Sequence, residues 1–210
     1  KTAYGPLQGV DFKEYGQRLR GPGHGLYFHV PFCQAKCGYC NLFSVTGATG
    51  EAMDHYLEAV RRQLEQYEAV LAPVNASFSE FTIGGGTPLL LTEKQLDRMF
   101  SMVNRHLKLE SGCEIVIETA PNQTDREKLR LLKAAGVTRV SMGIQSFQEG
   151  ELKVLRRGHS PDRAREALDL LLSFEFSCVN LDFIYGIPGQ QTASWLDSLE
   201  EAVRFGPQEI

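Results

Sequence analysis

The chain has 210 residues, 42% of them apolar and 23% charged, with a formal net charge of −4. That is enough chain for one large domain with a sizeable core and an ordinary globular composition, and it carries no basic footprint of the kind a nucleic-acid binder needs. No apolar run is long enough to span a bilayer, and the first residues, Lys1-Thr-Ala-Tyr-Gly-Pro-Leu, lack the charged-then-apolar pattern of a secretory leader, so the cytoplasm is the expected compartment.

Residues 1–26 are rich in Gly and Pro without a sustained period and predict an irregular N-terminal extension ahead of a core over 27–210. Leu26–Val30 reads as the first strand. Met53, Leu57, Val60, Leu64, Tyr67 and Leu71 step by fours and threes, marking one apolar helix face. Phe78–Ile83 is the second strand, ending at Gly84-Gly85-Gly86. Thr92 and Gln95 form a capping box for a helix through Leu96, Phe100, Val103 and Leu107. Glu114–Glu118 is the third strand. Thr124 and Glu127 read as a second capping box, opening a helix through Leu129 and Leu132 that stops at Gly136. Arg139–Gly143 is the fourth strand. Ser160-Pro161 opens the next helix. Val179–Ile184 is the fifth strand, and a Pro188-Gly189 turn leads into a helix with Trp195, Leu196 and Leu199 that ends near Gly206. Glu209-Ile210 begins a sixth strand. Such alternation predicts an α/β fold with a parallel sheet, and both an open sheet and a barrel satisfy it. In either, function belongs at the C-terminal edge of the strands.

That edge is where the unusual residues fall. Cys33, Cys37 and Cys40 follow the first strand with C-x3-C-x2-C spacing. Three thiolates on one loop can hold three irons of a cubane cluster and leave the fourth open to a ligand. A structural zinc site would want four ligands, usually in two pairs, and no second pair exists. In a reducing compartment, five cysteines with three clustered favour a metal or redox site over disulfides. Cys113 and Cys178, isolated in apolar strand contexts, read as buried core residues. Gly84-Gly85-Gly86-Thr87-Pro88 follows a strand, where glycine lets backbone groups approach a ligand's carboxylate or amino group; by itself it could be an ordinary turn. Glu118 and Gln145 sit at strand ends, where each could bind a ligand or simply face water. Asp182 lies inside an apolar strand and must be paired or face a polar interior. Arg156, Arg157 and His159 form a short basic group, either a solvated face or a partner for a ligand carboxylate. His24 and His29 read as structural.

Together these stretches resemble the radical S-adenosylmethionine (SAM) enzymes, and within them the branch holding oxygen-independent coproporphyrinogen III oxidases and HemW-type haem chaperones. Tyr27-Phe-His-Val-Pro-Phe-Cys, Gly84-Gly-Gly-Thr-Pro, Val140-Ser-Met-Gly-Ile-Gln-Ser-Phe and Asp182-Phe-Ile-Tyr-Gly-Ile-Pro-Gly-Gln recur in family order. The resemblance implies a partial (β/α)6 radical SAM barrel, cut short at the start of the sixth strand. It implies a [4Fe–4S] cluster on Cys33, Cys37 and Cys40, with SAM on the open iron. Gly85, Gly86 and Thr87 match the segment that meets the methionine amino group, and Glu118 matches the ribose-binding acid. Gln145, Arg157 and Asp182 match further polar positions around SAM; Tyr27, Tyr39 and Ile184 match positions packed near it. The implied chemistry is reductive cleavage of SAM to a 5′-deoxyadenosyl radical, with reduced flavodoxin or ferredoxin as electron donor and a small-molecule, tetrapyrrole-related substrate. The oxidases carry a further cysteine two residues after the third. Here that position is Leu42, which counts against coproporphyrinogen oxidation. The HemW-type proteins lack that cysteine too and resemble Leu155-Arg-Arg-Gly-His-Ser, so haem delivery is the alternative function and haem the alternative ligand. They follow the third cysteine with Asp-Phe where this chain has Asn-Leu-Phe, which also admits a sister group. A cluster that only stabilises the fold or relays electrons is the third reading, and an open iron argues against it.

Overall fold

The computed structural model describes residues 11–210. Its elements in chain order are α1 (Phe12–Gln17), β1 (His24–Val30), β2 (Phe32–Cys33), β3 (Val45–Thr46), α2 (Gly50–Leu71), β4 (Phe78–Gly85), α3 (Glu93–His106), β5 (Leu109–Thr119), α4 (Arg126–Ala134), β6 (Arg139–Gln145), α5 (Glu149–Val154), α6 (Pro161–Leu172), β7 (Cys178–Phe183) and α7 (Thr192–Phe205). Of the stretch expected to be irregular, residues 1–10 lie outside the described residues. The rest carries α1, capped by the Asp11 side chain, and the first residues of β1.

The main sheet runs β1-β4-β5-β6-β7, every pair parallel and every neighbour the next long strand in the chain. Right-handed crossovers between sequential parallel strands put all the helices on one face. The sheet therefore winds in one direction, as a partial barrel. The parallel bridge from Asn180 to Glu209 continues that direction beyond β7, where the sequence predicted a sixth strand.

Residue alternation then decides which side of each strand is core. Phe81, Ile83, Ile117, Val140, Met142 and Leu181 point toward the helices and are essentially fully buried. They meet Leu57, Leu96, Met99, Leu132, Leu168 and Leu171 from the helical layer. The opposite row is polar. His29, Gly84, Glu118, Ser141 and Asn180 lie side by side across the strands through the pairings His29–Gly84, Glu118–Ser141 and Ser141–Asn180. Asp182 belongs to this inner row, beside Gly143, which resolves how an acid sits within an apolar strand.

Three local expectations are corrected. Thr124 does not cap α4: its hydroxyl is held by the Ala120 carbonyl at 3.1 Å and the Thr119 hydroxyl at 3.0 Å, and Asp125 accepts from the Lys128 N–H instead. Cys113 and Cys178 are only half-buried rather than core residues, Cys113 in the first half of β5 and Cys178 at the first position of β7. β6 runs two residues further than Gly143, to Gln145.

Candidate functional site

β1 delivers the chain to the cysteine loop, and the two-residue pairing of β2 with β3 closes that loop into a clip. The Val45 N–H reinforces it by donating to the Pro31 carbonyl at 2.7 Å. Gly38 N–H donates to the Leu155 carbonyl at 2.9 Å, anchoring the loop to the end of α5. Cys33, Cys37 and Cys40 all line one cleft at the C-terminal edge of the sheet. Burial pushes the Cys33 thiol up; the Thr87 hydroxyl opposes this, and Cys40 and Cys37 add to it. Among the described residues no three Cys, His, Asp or Glu side chains converge as a single-ion site requires. A cubane takes each thiolate at a different iron, so three soft donors on one loop, all lining one cleft, suit a cluster.

The glycine segment crosses directly over the clip. Gly86 N–H donates to the Val30 carbonyl and Thr87 N–H to the Phe32 carbonyl, both at 2.7 Å. A Cβ on Gly86 would lie 2.5 Å from the Phe32 carbonyl oxygen, so only glycine permits the approach. Gly85 has φ +114°, and its N–H donates to Glu118 Oε2 at 3.1 Å. Burial raises the Glu118 carboxyl above the usual range; that N–H opposes the shift and Asp182 adds to it. Asp182 accepts from Ser141 Oγ at 2.9 Å and Asn180 Nδ2 at 2.8 Å.

The third wall comes from β6 and the residues after α5. Gln145 is buried and has φ +72°, a left-handed backbone that a non-glycine residue seldom adopts. Arg157 donates from Nη1 to Cys37 Sγ at 3.2 Å and from Nη2 to the Gly143 carbonyl. Tyr39 is pushed up to about 12 by burial, with Arg157 opposing and Cys37 adding. His159 is buried and held down at about 4, by burial and then by the Arg157 charge, so its ring is neutral near pH 7.

Four buried side-chain polar atoms among the described residues lack a hydrogen-bond partner, and three of them, Ser44 Oγ, Arg157 Nε and His159 Nε2, belong to residues lining this cleft. Buried polar groups are normally satisfied, so this concentration marks a place where a polar ligand completes the bonding. With the thiol donors beside it, the cleft fits a cluster and an amine-, carboxylate- and hydroxyl-bearing cofactor.

The fold brings Cys33, Cys37, Cys40, Tyr39, Gly85, Gly86, Thr87, Glu118, Gln145, Arg157 and Asp182 to one cleft. Tyr27 and Ile184 do not line it. Tyr27 is exposed on the inner row, its hydroxyl 3.2 Å from His29 Nδ1. Ile184 donates its N–H to the Gln145 carbonyl at 3.0 Å. Ser44, Asn122 and Gln123 also line the cleft, from a loop and a short 3-10 turn whose sequences carry no motif.

A family model described as the radical SAM superfamily matches residues 27–202. The heme chaperone HemW of Mycobacterium tuberculosis is 39% identical over 195 residues, covering 91% of this chain and 49% of that protein. The heme chaperone HemW of Escherichia coli is 32% identical over 190 residues, covering 90% and 50%. The solved structure of coproporphyrinogen III oxidase (HemN) from Escherichia coli, described as a radical SAM enzyme, superimposes with a TM-score of 0.85 at 27% identity, covering 93% of this chain and 45% of that one. The chain thus spans about half the length of the curated relatives it matches.

Proposed function

The chain belongs to the radical SAM superfamily, and from that premise we propose that Cys33, Cys37 and Cys40 hold a [4Fe–4S] cluster in the cleft, with SAM bound beside it. When bound, the pair supplies reductive cleavage: one electron, from a donor such as reduced flavodoxin or ferredoxin, splits SAM into methionine and a 5′-deoxyadenosyl radical that abstracts hydrogen from a small-molecule substrate. The chain's own residues bind and orient. Gly85, Gly86 and Thr87 present backbone to the methionine end, Glu118 accepts from ribose hydroxyls, and Gln145, Arg157 and Asp182 complete the polar lining. Tyr27, bonded to His29, and Ile184, bonded to the Gln145 carbonyl, flank that lining and on this reading pack near the cofactor. On this reading the radical SAM core occupies residues 27–210. What carries the proposal is the cleft that gathers three thiols, the glycine segment, Glu118 and three unpartnered polar atoms. The test is anaerobic cluster reconstitution of the full protein, then reduction with SAM present. Formation of 5′-deoxyadenosine is expected, and its absence beside an intact cluster sinks the catalytic reading.

A second reading has its own support. The relatives at 39% and 32% identity are named heme chaperones, and Leu42, half-exposed at the cleft, stands where the resemblance places a further oxidase cysteine. We infer that the whole protein handles haem rather than oxidising coproporphyrinogen III. Haem added to the protein should give a Soret band that moves to an apo-acceptor. A protein that takes up no haem removes this reading and leaves the first intact.

A further inference from the structure

Glu151, on the short helix α5, is a buried carboxylate that does not line the cleft and, among the described residues, joins no ion pair. Three neutral donors surround it. Ser146 Oγ donates to Oε2 at 2.6 Å, Gln190 Nε2 donates to Oε2 at 2.9 Å, and Ser194 Oγ donates to Oε1 at 2.6 Å. A buried charge is costly unless its lone pairs are filled, and here they are filled by three separate segments. Those donors lie on the exit of β6, the turn after β7 and the first turn of α7.

Each donor is bonded onward. Ser146 Oγ accepts from the Gln148 N–H at 2.9 Å, and Gln190 Oε1 accepts from the Gly186 N–H at 2.8 Å. Gln190 Nε2 also reaches the Ile184 carbonyl at 3.4 Å, while the Ile184 N–H donates to the Gln145 carbonyl at 3.0 Å. Gln145, next to Ser146, lines the cleft with φ +72°. A left-handed non-glycine backbone is strained and persists only where its surroundings over-determine it.

We propose that Glu151 is a positioning residue: its carboxylate ties the exits of β6 and β7 to α7 and thereby holds Gln145 in the strained conformation that faces the cleft. The link to SAM rests on the function proposed above; the tie between the strand exits does not. Glu151→Gln keeps the shape but replaces one acceptor oxygen with a donor amide, which then confronts donors.

The test uses the cluster-reconstituted full protein. In E151Q, amide hydrogen exchange across residues 145–148 and 184–191 should accelerate at least tenfold, with iron content unchanged and SAM dissociation constant raised at least tenfold. Leu129→Ala, a core truncation on α4 away from the cleft, should lower thermal stability and leave SAM affinity within twofold. If E151Q fails to fold, Ser194→Ala removes one donor and should show the same pattern at about threefold. Unchanged exchange in both segments overturns the proposal, and so does a loss of SAM affinity in L129A equal to that in E151Q. Accelerated exchange in E151Q while the wild type binds no SAM sustains the tie and sinks the SAM reading instead.

Discussion

At Gly86 a single added methyl has nowhere to go. The atoms it would meet are backbone, the Phe32 carbonyl oxygen at 2.5 Å and the Pro31 carbonyl carbon at 2.9 Å, so relief requires separating the glycine segment from the cysteine clip. Gly86→Ala should therefore destabilise the protein by about 1–3 kcal/mol and weaken SAM binding at unchanged iron content, checked by thermal denaturation and SAM titration. His159 makes a pH prediction. Its folded-state value of about 4 lies below the ordinary 6.5, so between those values the unfolded chain takes up a proton that the folded chain refuses. Stability should fall as pH drops through that window, by at most about 3 kcal/mol. His159→Asn should flatten this part of the profile, and equal slopes for the two proteins in denaturation at pH 7 and 4.5 would refute it. Residue identity alone picked out most of the cleft, because cysteines, consecutive glycines and lone acids at strand ends are costly unless used. It could not reveal Ser44 or the Glu151 network, whose residues are common types and whose partners stand 5, 39 and 43 positions away in the chain.

At the scale of elements, periodicity and caps were readable because both are local. The apolar stripe from Met53 to Leu71 became α2, and the Thr92–Gln95 box is present in both directions, Thr92 N–H to Gln95 Oε1 at 3.0 Å and Gln95 N–H to Thr92 Oγ1 at 3.3 Å. Thr92→Ala should cost about 1 kcal/mol in chemical denaturation without changing cluster content. Where two residues compete for one role, local pattern misleads: Thr124 and Asp125 both satisfy a cap signature, and the hydrogen bonds of Thr124 back to Ala120 and Thr119 leave the cap to Asp125. The six-residue α5 and the two-residue β2 and β3 escape sequence reading because segments so short show no period. Yet β2 and β3 close the cysteine loop, and α5 carries Glu151.

For the whole molecule, the governing fact is a sheet wound in one direction, with apolar residues facing the helices and a polar row facing inward. Stability and site chemistry therefore lie on opposite faces. Leu57, fully buried between α2 and the sheet, should on truncation to Ala cost about 2–5 kcal/mol while the folded fraction keeps its SAM affinity; parallel loss of both would show that the faces are coupled. The sequence by itself determined the α/β class, the thiol loop and, through its resemblance to the radical SAM enzymes, the partial barrel, because periods, caps and motif spacing are written in neighbouring residues. Alternation alone left an open sheet and a barrel both possible, and only the tertiary structure decided the strand order β1-β4-β5-β6-β7 that winds in one direction. It also decided that Asp182 faces the interior, that Tyr27 and Ile184 stand outside the cleft, and that Gln145 is held in a left-handed backbone. Those outcomes depend on crossover handedness, cross-strand register and hydrogen bonds between distant segments, and no local stretch of sequence encodes them.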